Sequence, residues 1–181
     1  EVCAGCHSLR QVDFRHLAGI GYAEKQIKAF AAEAEVTDGP NDEGEMFERP
    51  GIPADPLPKP FPNDQAAAAS NNGKMPPDLS LMVKARKAGP DYLYALLTGY
   101  ADAPTGVEVP EGSSYNTYFP GHIIAMAPPL SDEGVEYQDG TKATVAQQAK
   151  DIVSFLAWTA SPEMEARKSM GLKVLLFLIV F

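Results

Sequence analysis

The sequence predicts a mostly α-helical protein in which short helices are separated by long loops. Four segments carry apolar residues at helical spacing, and no stretch of convincing length alternates apolar and polar residues as a half-buried strand would. The 16 prolines and 15 glycines among 181 residues predict many turns and loops. An apolar content of 45% is enough for one domain with a substantial core.

The first predicted helix covers residues 23–34, and a second covers residues 77–89, with Pro77 at its start and Gly89 closing it. A third covers residues 90–99. The apolar face of the first helix is formed by Ile27, Phe30, Ala31 and Ala34. The inward positions of the third are Tyr92, Leu93, Leu96 and Leu97.

The last strong helix is predicted to begin at Thr144 and to end before Ser161 and Pro162. Thr144 and Gln147 have the spacing of a capping box, in which each side chain bonds the backbone N–H of the other. Residues 101–140 have the composition of a loop, because glycine, proline, serine, asparagine and aspartate dominate them.

Residues 33–64 form an acidic, proline-rich segment. It holds nine carboxylates against Arg49 and Lys59, a local charge of −7 in a chain with a net charge of −9. Its prolines exclude helix and inner strand and favour an extended course on the surface. The concentration of one sign suits docking of a basic partner, and a solubilising loop is the alternative. The net charge argues against nucleic acid or anionic lipid as the main partner.

The two cysteines of the chain lie in one turn, Cys3 and Cys6, and His7 follows them directly. A redox dithiol of this spacing expects a preceding strand, which two residues do not provide. A structural zinc site needs four ligands, and the other histidines, His16 and His122, lack the usual spacing. Attachment of c-type haem uses both thiols and the adjacent histidine. The motif therefore favours one covalent haem c, attached outside the cytoplasm, over zinc.

The second axial ligand of such a haem decides between an electron carrier and a catalyst. Two methionines precede prolines, Met75 and Met126. Met126 is the preferred ligand because a loop stiffened by prolines would close the chain over the side of the haem opposite His7. The other four methionines are expected in packing or at the surface: Met46, Met82, Met164 and Met170.

Pro76 and Pro77 have a separate predicted role, because their backbone carbonyls are placed to accept the ring N–H of His7 and to fix its orientation. His122 is the rival sixth ligand, with a solvent-facing loop histidine as its plain interpretation. His16 is expected to bond a haem propionate, a backbone group or water rather than iron.

Residues 174–181 are apolar without interruption. Eight helical residues rise about 12 Å, which is less than a hydrocarbon core of roughly 30 Å, so this stretch cannot span a bilayer by itself. We expect residues 162–181 to begin a membrane anchor that is truncated here, with a buried core helix as the alternative. The start of the chain, two residues before the cysteine motif, leads us to expect truncation there as well.

Several separated stretches share a common resemblance. They are EVCAGCHSLRQVDFRHLAGIGY, VTDGPNDEGEMFERPG, SNNGKMPPDLS, ARKAGPDYLYALLTGY, YFPGHIIAMAPPL and DGTKATVAQQAKDIVSFLAWTASPE. In this order they resemble cytochrome c1, the family of haem subunits of ubiquinol–cytochrome c oxidoreductase (the cytochrome bc1 complex). The likeness covers nearly all of the chain and suggests a bacterial member. The stretch ARKSMGLKVLLFLIVF is similar to the start of the family's single C-terminal membrane helix.

The resemblance implies a class I cytochrome c fold with long loop insertions over residues 1–161, followed by the start of a C-terminal transmembrane helix. It places the protein in a bacterial or mitochondrial inner membrane, with the haem domain in the periplasm or intermembrane space. The implied partners are cytochrome b, the Rieske iron–sulfur protein as electron donor and a soluble or tethered cytochrome c as acceptor. No bond chemistry is expected of this chain alone.

Carried over by residue, the resemblance implies that Cys3 and Cys6 hold the haem and that His7 and Met126 ligate its iron. It also implies that Arg86 pairs with a haem propionate, with Asn71 and Tyr92 as further candidates for propionate hydrogen bonds. Pro77 is counted with these haem-binding residues for the carbonyl that would orient His7. Two alternatives remain open. One is a haem enzyme of the peroxidase or nitrite reductase type with an open sixth position, and the other is a zinc-stapled adaptor at the membrane.

Overall fold

The computed structural model describes residues 2–181, and the chain divides into two compact units. One unit comprises Glu1–Ser8 and Lys59–Ala160, and the other comprises Leu9–Pro58 and Ser161–Phe181. The α-helices are α1 (Glu24–Ala32), α2 (Asp64–Ala69), α3 (Met82–Ala85), α4 (Gly89–Thr98), α5 (Val145–Thr159) and α6 (Met164–Val180). The strands pair as two antiparallel hairpins, β1 (Glu35–Asp38) with β2 (Phe47–Pro50) and β3 (Ser114–Tyr115) with β4 (Ile123–Ile124). Helices predominate, as the sequence predicts.

The unit that contains the cysteine motif is built on α3, α4 and α5, which contact one another. Helix α5 begins where predicted, because the Thr144 side chain accepts a hydrogen bond from the Gln147 N–H at 3.2 Å. The Gln147 amide donates to Asp151 at 3.0 Å instead of returning to Thr144, so half of the predicted capping box forms. The buried apolar side chains of this unit include Met82, Leu93, Ala149, Val153 and Leu156.

The prediction of one helix over residues 77–89 is wrong. Only Met82–Ala85 is helical, and Gly89, expected to close that helix, begins α4. The backbone before Met82 bonds elsewhere, because the Leu79 N–H donates to the Ser8 carbonyl at 2.9 Å. Ala88 then adopts a left-handed conformation with φ 64°, which separates α3 from α4. Helix α2 was not predicted either, and the Asn63 side chain caps its N-terminus.

The other unit has a small core in which a 3-10 helix, Phe14–Ile20, contacts α1. Phe14, Ile27 and Ala31 are buried there, as the predicted apolar face of α1 requires. Phe30, placed on the same face by the sequence, is 41% exposed and packs edge to face against Tyr22 with ring centroids 5.4 Å apart.

Strands β1 and β2 lie in the acidic segment, for which the sequence predicts no helix and no inner strand. As the two edge strands of a two-stranded hairpin, they do not contradict that prediction. Each has only four residues and is largely exposed, so the sequence lacks the apolar–polar alternation from which a strand is predicted. Cross-strand polar contacts hold the hairpin: the Thr37 hydroxyl donates to Glu48 at 2.6 Å, and the Arg49 guanidinium bridges Asp38 and Asp55. The Arg49–Asp55 contact is bidentate, at 2.7 and 3.0 Å. The predicted 101–140 loop likewise contains the two-residue strands β3 and β4.

Helix α6 is continuous from Met164 to Val180, and its apolar side chains are exposed on all sides. Within residues 2–181, no helix is both long enough and apolar enough to cross a membrane. The predicted start of a transmembrane helix is therefore present as a helix but not as a spanning one.

Candidate functional site

The two cysteines lie on a tight turn. Cys3–Gly5 is a 3-10 helix in which the Cys6 N–H and the His7 N–H both donate to the Cys3 carbonyl, at 3.2 and 2.9 Å. Residues three apart lie above one another in a 3-10 turn, so this turn is suited to presenting both thiols on one side. Cys3 is half-buried and Cys6 is exposed. The turn therefore presents two sulfur nucleophiles beside an imidazole.

The ring of His7 is oriented by a backbone carbonyl. Its Nδ1 lies 2.7 Å from the carbonyl oxygen of Pro77. A carbonyl can only accept, so Nδ1 carries the hydrogen and donates it. The lone pair of the neutral ring then lies on Nε2, which is the arrangement of a metal-ligating histidine with its other nitrogen held by the protein. This is the hydrogen bond that the sequence predicts for the proline pair.

A chain of hydrogen bonds fixes the segment that carries this carbonyl. The Ser8 hydroxyl donates to Asp78 Oδ2 at 2.8 Å, and the Leu79 N–H donates to the Ser8 carbonyl. The Ser80 N–H donates to Asp78 Oδ1 at 2.9 Å. Ser80 is fully buried, and its carbonyl accepts from the Thr159 hydroxyl of α5 at 3.2 Å. The orientation of His7 is thus tied to the helical core, through residues for which the sequence predicted no part in this site.

Met126 lies half-buried in the loop after β4, within the same compact unit as His7. Its main-chain carbonyl accepts a hydrogen bond of 3.1 Å from the Tyr100 hydroxyl. Burial of Tyr100 raises the pKa of its hydroxyl to about 12, so the group is protonated at neutral pH and remains a donor. Sequence reasoning missed Tyr100, because a tyrosine just after a helix end gives no signal of a partner 26 residues away.

Asn116 organises the start of the Met126 loop, which we define as residues 116–126 and which includes β4. It is fully buried, and its Nδ2 donates to the Leu96 carbonyl in the last turn of α4 at 2.8 Å. Its Oδ1 accepts from the N–H groups of Tyr118 and Phe119 at 3.0 and 3.1 Å. The Asn116 N–H donates to the His122 carbonyl at 2.8 Å. One side chain therefore joins the helix end to the turn that leads toward Met126.

The rival ligands occupy different environments. The exposed His122 has a left-handed backbone with φ 63°, and its ring stacks on Tyr115 and donates from Nδ1 to the Asn116 carbonyl at 3.3 Å. Met75 is 48% exposed. His16 Nδ1 accepts from the Asp13 N–H at 3.0 Å, which confirms the predicted partnership with a backbone group.

The candidate propionate contacts belong to the same unit as His7. Arg86 is exposed at the end of α3 and donates to the Ala85 carbonyl at 3.2 Å. The Asn71 amide donates to the Ala67 carbonyl at 2.7 Å and thereby closes α2. Tyr92 is half-buried on α4. Their contacts with a haem stay predictions.

The donor set fits a c-type haem better than zinc. Two adjacent thiols, an imidazole with its lone pair on Nε2 and a thioether in a proline-flanked loop are the groups that such a haem uses. Among residues 2–181, no group of three or more histidine, cysteine, aspartate or glutamate side chains is placed to hold a metal ion. The buried Trp158 Nε1 on α5 has no hydrogen-bond partner within those residues. Buried N–H groups rarely go unpaired, so an acceptor from outside the polypeptide, such as water or a ligand carboxylate, suits it.

A family model described as the Cytochrome C1 family matches residues 1–181. The chain belongs to the cytochrome c1 family. It is 59% identical over 173 residues to "Cytochrome c1 1, heme protein, mitochondrial" of Arabidopsis thaliana, an alignment that covers 96% of this chain and 56% of that protein. It is 53% identical over 194 residues to "Cytochrome c1" of Rhodospirillum rubrum, with 98% of this chain and 71% of that protein covered.

A further relative in the cytochrome c1 family is "Cytochrome b/c1" of Bradyrhizobium diazoefficiens, 53% identical over 203 residues. That alignment covers 100% of this chain and 30% of that protein. The chain thus spans little more than half the length of the Arabidopsis relative. Mitochondrial and bacterial members are both similar to it at this level.

Proposed function

We propose that this chain is the haem-bearing electron-transfer subunit of a ubiquinol–cytochrome c oxidoreductase. The observation that carries the proposal is the hydrogen bond from His7 Nδ1 to the Pro77 carbonyl, directly after the two cysteines, in a member of the cytochrome c1 family. Cys3 and Cys6 would hold a haem c covalently, and His7 would ligate its iron through Nε2. The Arabidopsis relative is itself named a heme protein, which supports the same cofactor here.

Met126 is proposed as the second axial ligand. Three features support this role over the exposed Met75: the half-buried position of Met126, the prolines that flank it, and the hydrogen bond from Tyr100 to its carbonyl. A bound haem supplies a reversible one-electron couple, whose potential is higher with methionine and histidine than with two histidines. Both proposed ligands lie in one compact unit. With both bound to the iron, the chain would close the sixth position.

Arg86, Asn71 and Tyr92 are proposed to contact the propionates. The guanidinium of Arg86 suits a carboxylate because it offers paired donors and a fixed positive charge. Its exposure at the end of α3 leaves that charge free to offset the charge of a propionate. Less negative charge around the haem would in turn raise its reduction potential.

The proposed electron donor is a Rieske iron–sulfur protein, the proposed acceptor is a cytochrome c, and cytochrome b is the proposed neighbour in the complex. The Bradyrhizobium relative, whose name joins cytochromes b and c1, supports the last. The acidic tip, defined as Asp42, Glu43 and Glu45 between β1 and β2, is exposed and supports docking of a basic cytochrome c.

We also propose that α6 contacts the lipid of an inner membrane, with the haem unit on the periplasmic or intermembrane side. A helix that is apolar all round is covered by protein or by lipid, and the side chains from Val174 to Phe181 are exposed. Flotation with phosphatidylcholine vesicles tests this contact. The intact chain should float with the vesicles, and a Leu175→Lys, Leu178→Lys variant should not. Equal flotation of both would show that α6 does not mediate binding to the vesicles.

Expression in a host equipped for haem ligation tests the cofactor and the function together. The purified chain should keep its colour after denaturation, show a sharp reduced α-band, and exchange electrons with a soluble cytochrome c. A Cys3→Ser, Cys6→Ser variant should lose the covalent colour. Carbon monoxide should bind slowly or not at all at neutral pH. Prompt binding would favour the open-site enzyme, and a colourless protein containing zinc would favour the adaptor.

A further inference from the structure

We propose that Tyr100 is a positioning residue for Met126: its hydroxyl holds the main-chain carbonyl of Met126 and thereby keeps the thioether at the haem iron. This inference rests on the proposed function, in which Met126 is the second axial ligand. It concerns how firmly that ligand is held. The group that touches iron would be Met126, and Tyr100 would act through it.

The phenol bridges a rigid element and the ligand loop. Tyr100 follows Gly99, which caps the C-terminus of α4, so its backbone is fixed by the helix end. It pairs with Asn116 as an isolated antiparallel bridge, and the Ala101 N–H donates to the Tyr115 carbonyl. From this anchored position the hydroxyl reaches the Met126 carbonyl at 3.1 Å. Tyr100 therefore fixes the peptide of Met126 relative to the end of α4.

The same helix end holds the beginning of the loop. Buried Asn116 donates to the Leu96 carbonyl, and the Thr117 N–H donates to the Gly99 carbonyl at 2.9 Å. The loop is therefore attached to α4 at its start through Asn116 and again at Met126 through Tyr100. Between these two attachments, only β4 gives the loop regular structure.

The position of the loop matters because a neutral thioether is easily replaced by a stronger ligand. A group that orients a metal ligand usually raises the affinity of that ligand for the metal. Loss of one such hydrogen bond is typically worth about 0.5–1.5 kcal/mol, or roughly 2- to 10-fold in an equilibrium. Tyr100→Phe keeps the buried ring and removes only the donor, so it isolates this contribution.

The experiment uses the full chain loaded with haem and imidazole as the competing ligand of the oxidised form. Tyr100→Phe should bind imidazole roughly 2- to 10-fold more tightly than the unchanged chain, and its reduction potential should fall because thioether ligation is weaker. The matched control is Tyr94→Phe, an exposed tyrosine of α4, which should change neither quantity. A role in stability alone would lower the unfolding temperature and leave imidazole affinity and potential unchanged.

Met126→Leu provides the reference for an open sixth position. If it binds imidazole no more tightly than the unchanged chain, Met126 is not the ligand and the role of Tyr100 is overturned, while a covalent haem spectrum would still support the proposed function. If Tyr100→Phe matches the unchanged chain in imidazole affinity and potential, the inference is wrong with Met126 still in place.

Should Tyr100→Phe not load haem, Asn116→Ser tests the other attachment of the loop, because it removes the donor to the Leu96 carbonyl. This variant should also tighten imidazole binding and lower the potential. Unchanged values in a haem-loaded Asn116→Ser chain would show that the attachment of the loop to α4 does not control the ligand, and would overturn the inference.

Discussion

The imidazole of His7 is oriented by an oxygen that lies 70 positions away in the sequence, the carbonyl of Pro77. The motif of two cysteines and a histidine could be read directly, because its spacing is fixed by the chemistry of attachment. The proline carbonyl could be anticipated because a metal-ligating histidine needs an acceptor for its second nitrogen. Local chemistry thus predicted both the donor and the type of its acceptor.

Replacement of Met126 by leucine should leave the haem attached and open its sixth position. Cys3 and Cys6 are independent of the loop, so the covalent link should persist, whereas the loss of the thioether should lower the reduction potential. Redox titration and carbon monoxide binding measure the two effects. An unchanged reduction potential would indicate that Met75 or His122, and not Met126, is the second axial ligand.

Other residues of the site could not be predicted. Ser8 and Asp78 are 70 positions apart, and Tyr100 and Met126 are 26 apart. No periodicity or spacing rule connects such pairs, because their contact is created by the packing of loops. A buried polar side chain such as Asn116 has no signal in a single sequence, since asparagine in a loop is ordinarily a turn residue.

At the level of elements, the N-terminus of α5 offers a test of helix capping. Thr144→Ala removes the side-chain acceptor for the Gln147 N–H and should lower the free energy of unfolding by about 1 kcal/mol. Chemical denaturation of the haem-loaded chain measures it. Ser154→Ala, at an exposed position within the same helix, is the control and should change stability little. Equal effects of the two substitutions would contradict a capping role.

The hairpin of β1 and β2 should be sensitive to acid. The Arg49 guanidinium, with a smaller effect of nearby backbone N–H groups, holds the pKa of Asp38 and of Asp55 below the ordinary value of 3.8. A carboxylate with a lowered folded-state pKa stabilises the fold above its unfolded pKa and loses that contribution as pH falls through the folded pKa. The unfolding temperature should therefore drop on acidification below about pH 4.

Arg49→Gln should lower the unfolding temperature at neutral pH and flatten this acid dependence, because both carboxylates lose their partner. Calorimetry from pH 7 to pH 2 gives the profile. Arg15→Gln, which breaks the pair between the exposed Arg15 and the half-buried Asp13, is the matched control and should keep the profile of the unchanged chain. An identical slope in Arg49→Gln would assign the acid sensitivity to other groups.

The elements themselves were predictable where periodicity is long, as in α1, α4 and α5. The helix prediction over residues 77–89 was wrong because the apolar residues have helical spacing, but the Leu79 N–H donates to the Ser8 carbonyl instead of joining a helix. The hairpin was missed because four-residue exposed strands depend on cross-strand polar pairs, which are not visible along one strand. Tertiary contacts overrode local preference in both places.

For the molecule as a whole, the acidic tip should govern the rate of reaction with a basic cytochrome c. Neutralising it by Asp42→Asn, Glu43→Gln and Glu45→Gln should slow the second-order rate roughly tenfold at low salt, because charge steering is screened as ionic strength rises. Stopped-flow mixing over a range of salt concentrations measures this.

The control carries the same change in charge in another loop, as Asp102→Asn, Glu108→Gln and Glu111→Gln. These residues are also exposed but belong to the other compact unit. The control should react nearly as fast as the unchanged chain. Equal slowing in both variants would indicate that net charge, and not the acidic tip, sets the rate.

The oxygen that orients His7 belongs to the peptide backbone, so every amino acid at position 77 would supply it. Divergence at that position cannot delete the acceptor and can only shift it. Asp78 differs, because its carboxylate binds Ser8 and the Ser80 N–H through the side chain. If every amino acid is tried at positions 77 and 78 and covalent haem is measured in each variant, more substitutions should retain haem at position 77 than at position 78. This should hold although only residue 77 contacts the histidine.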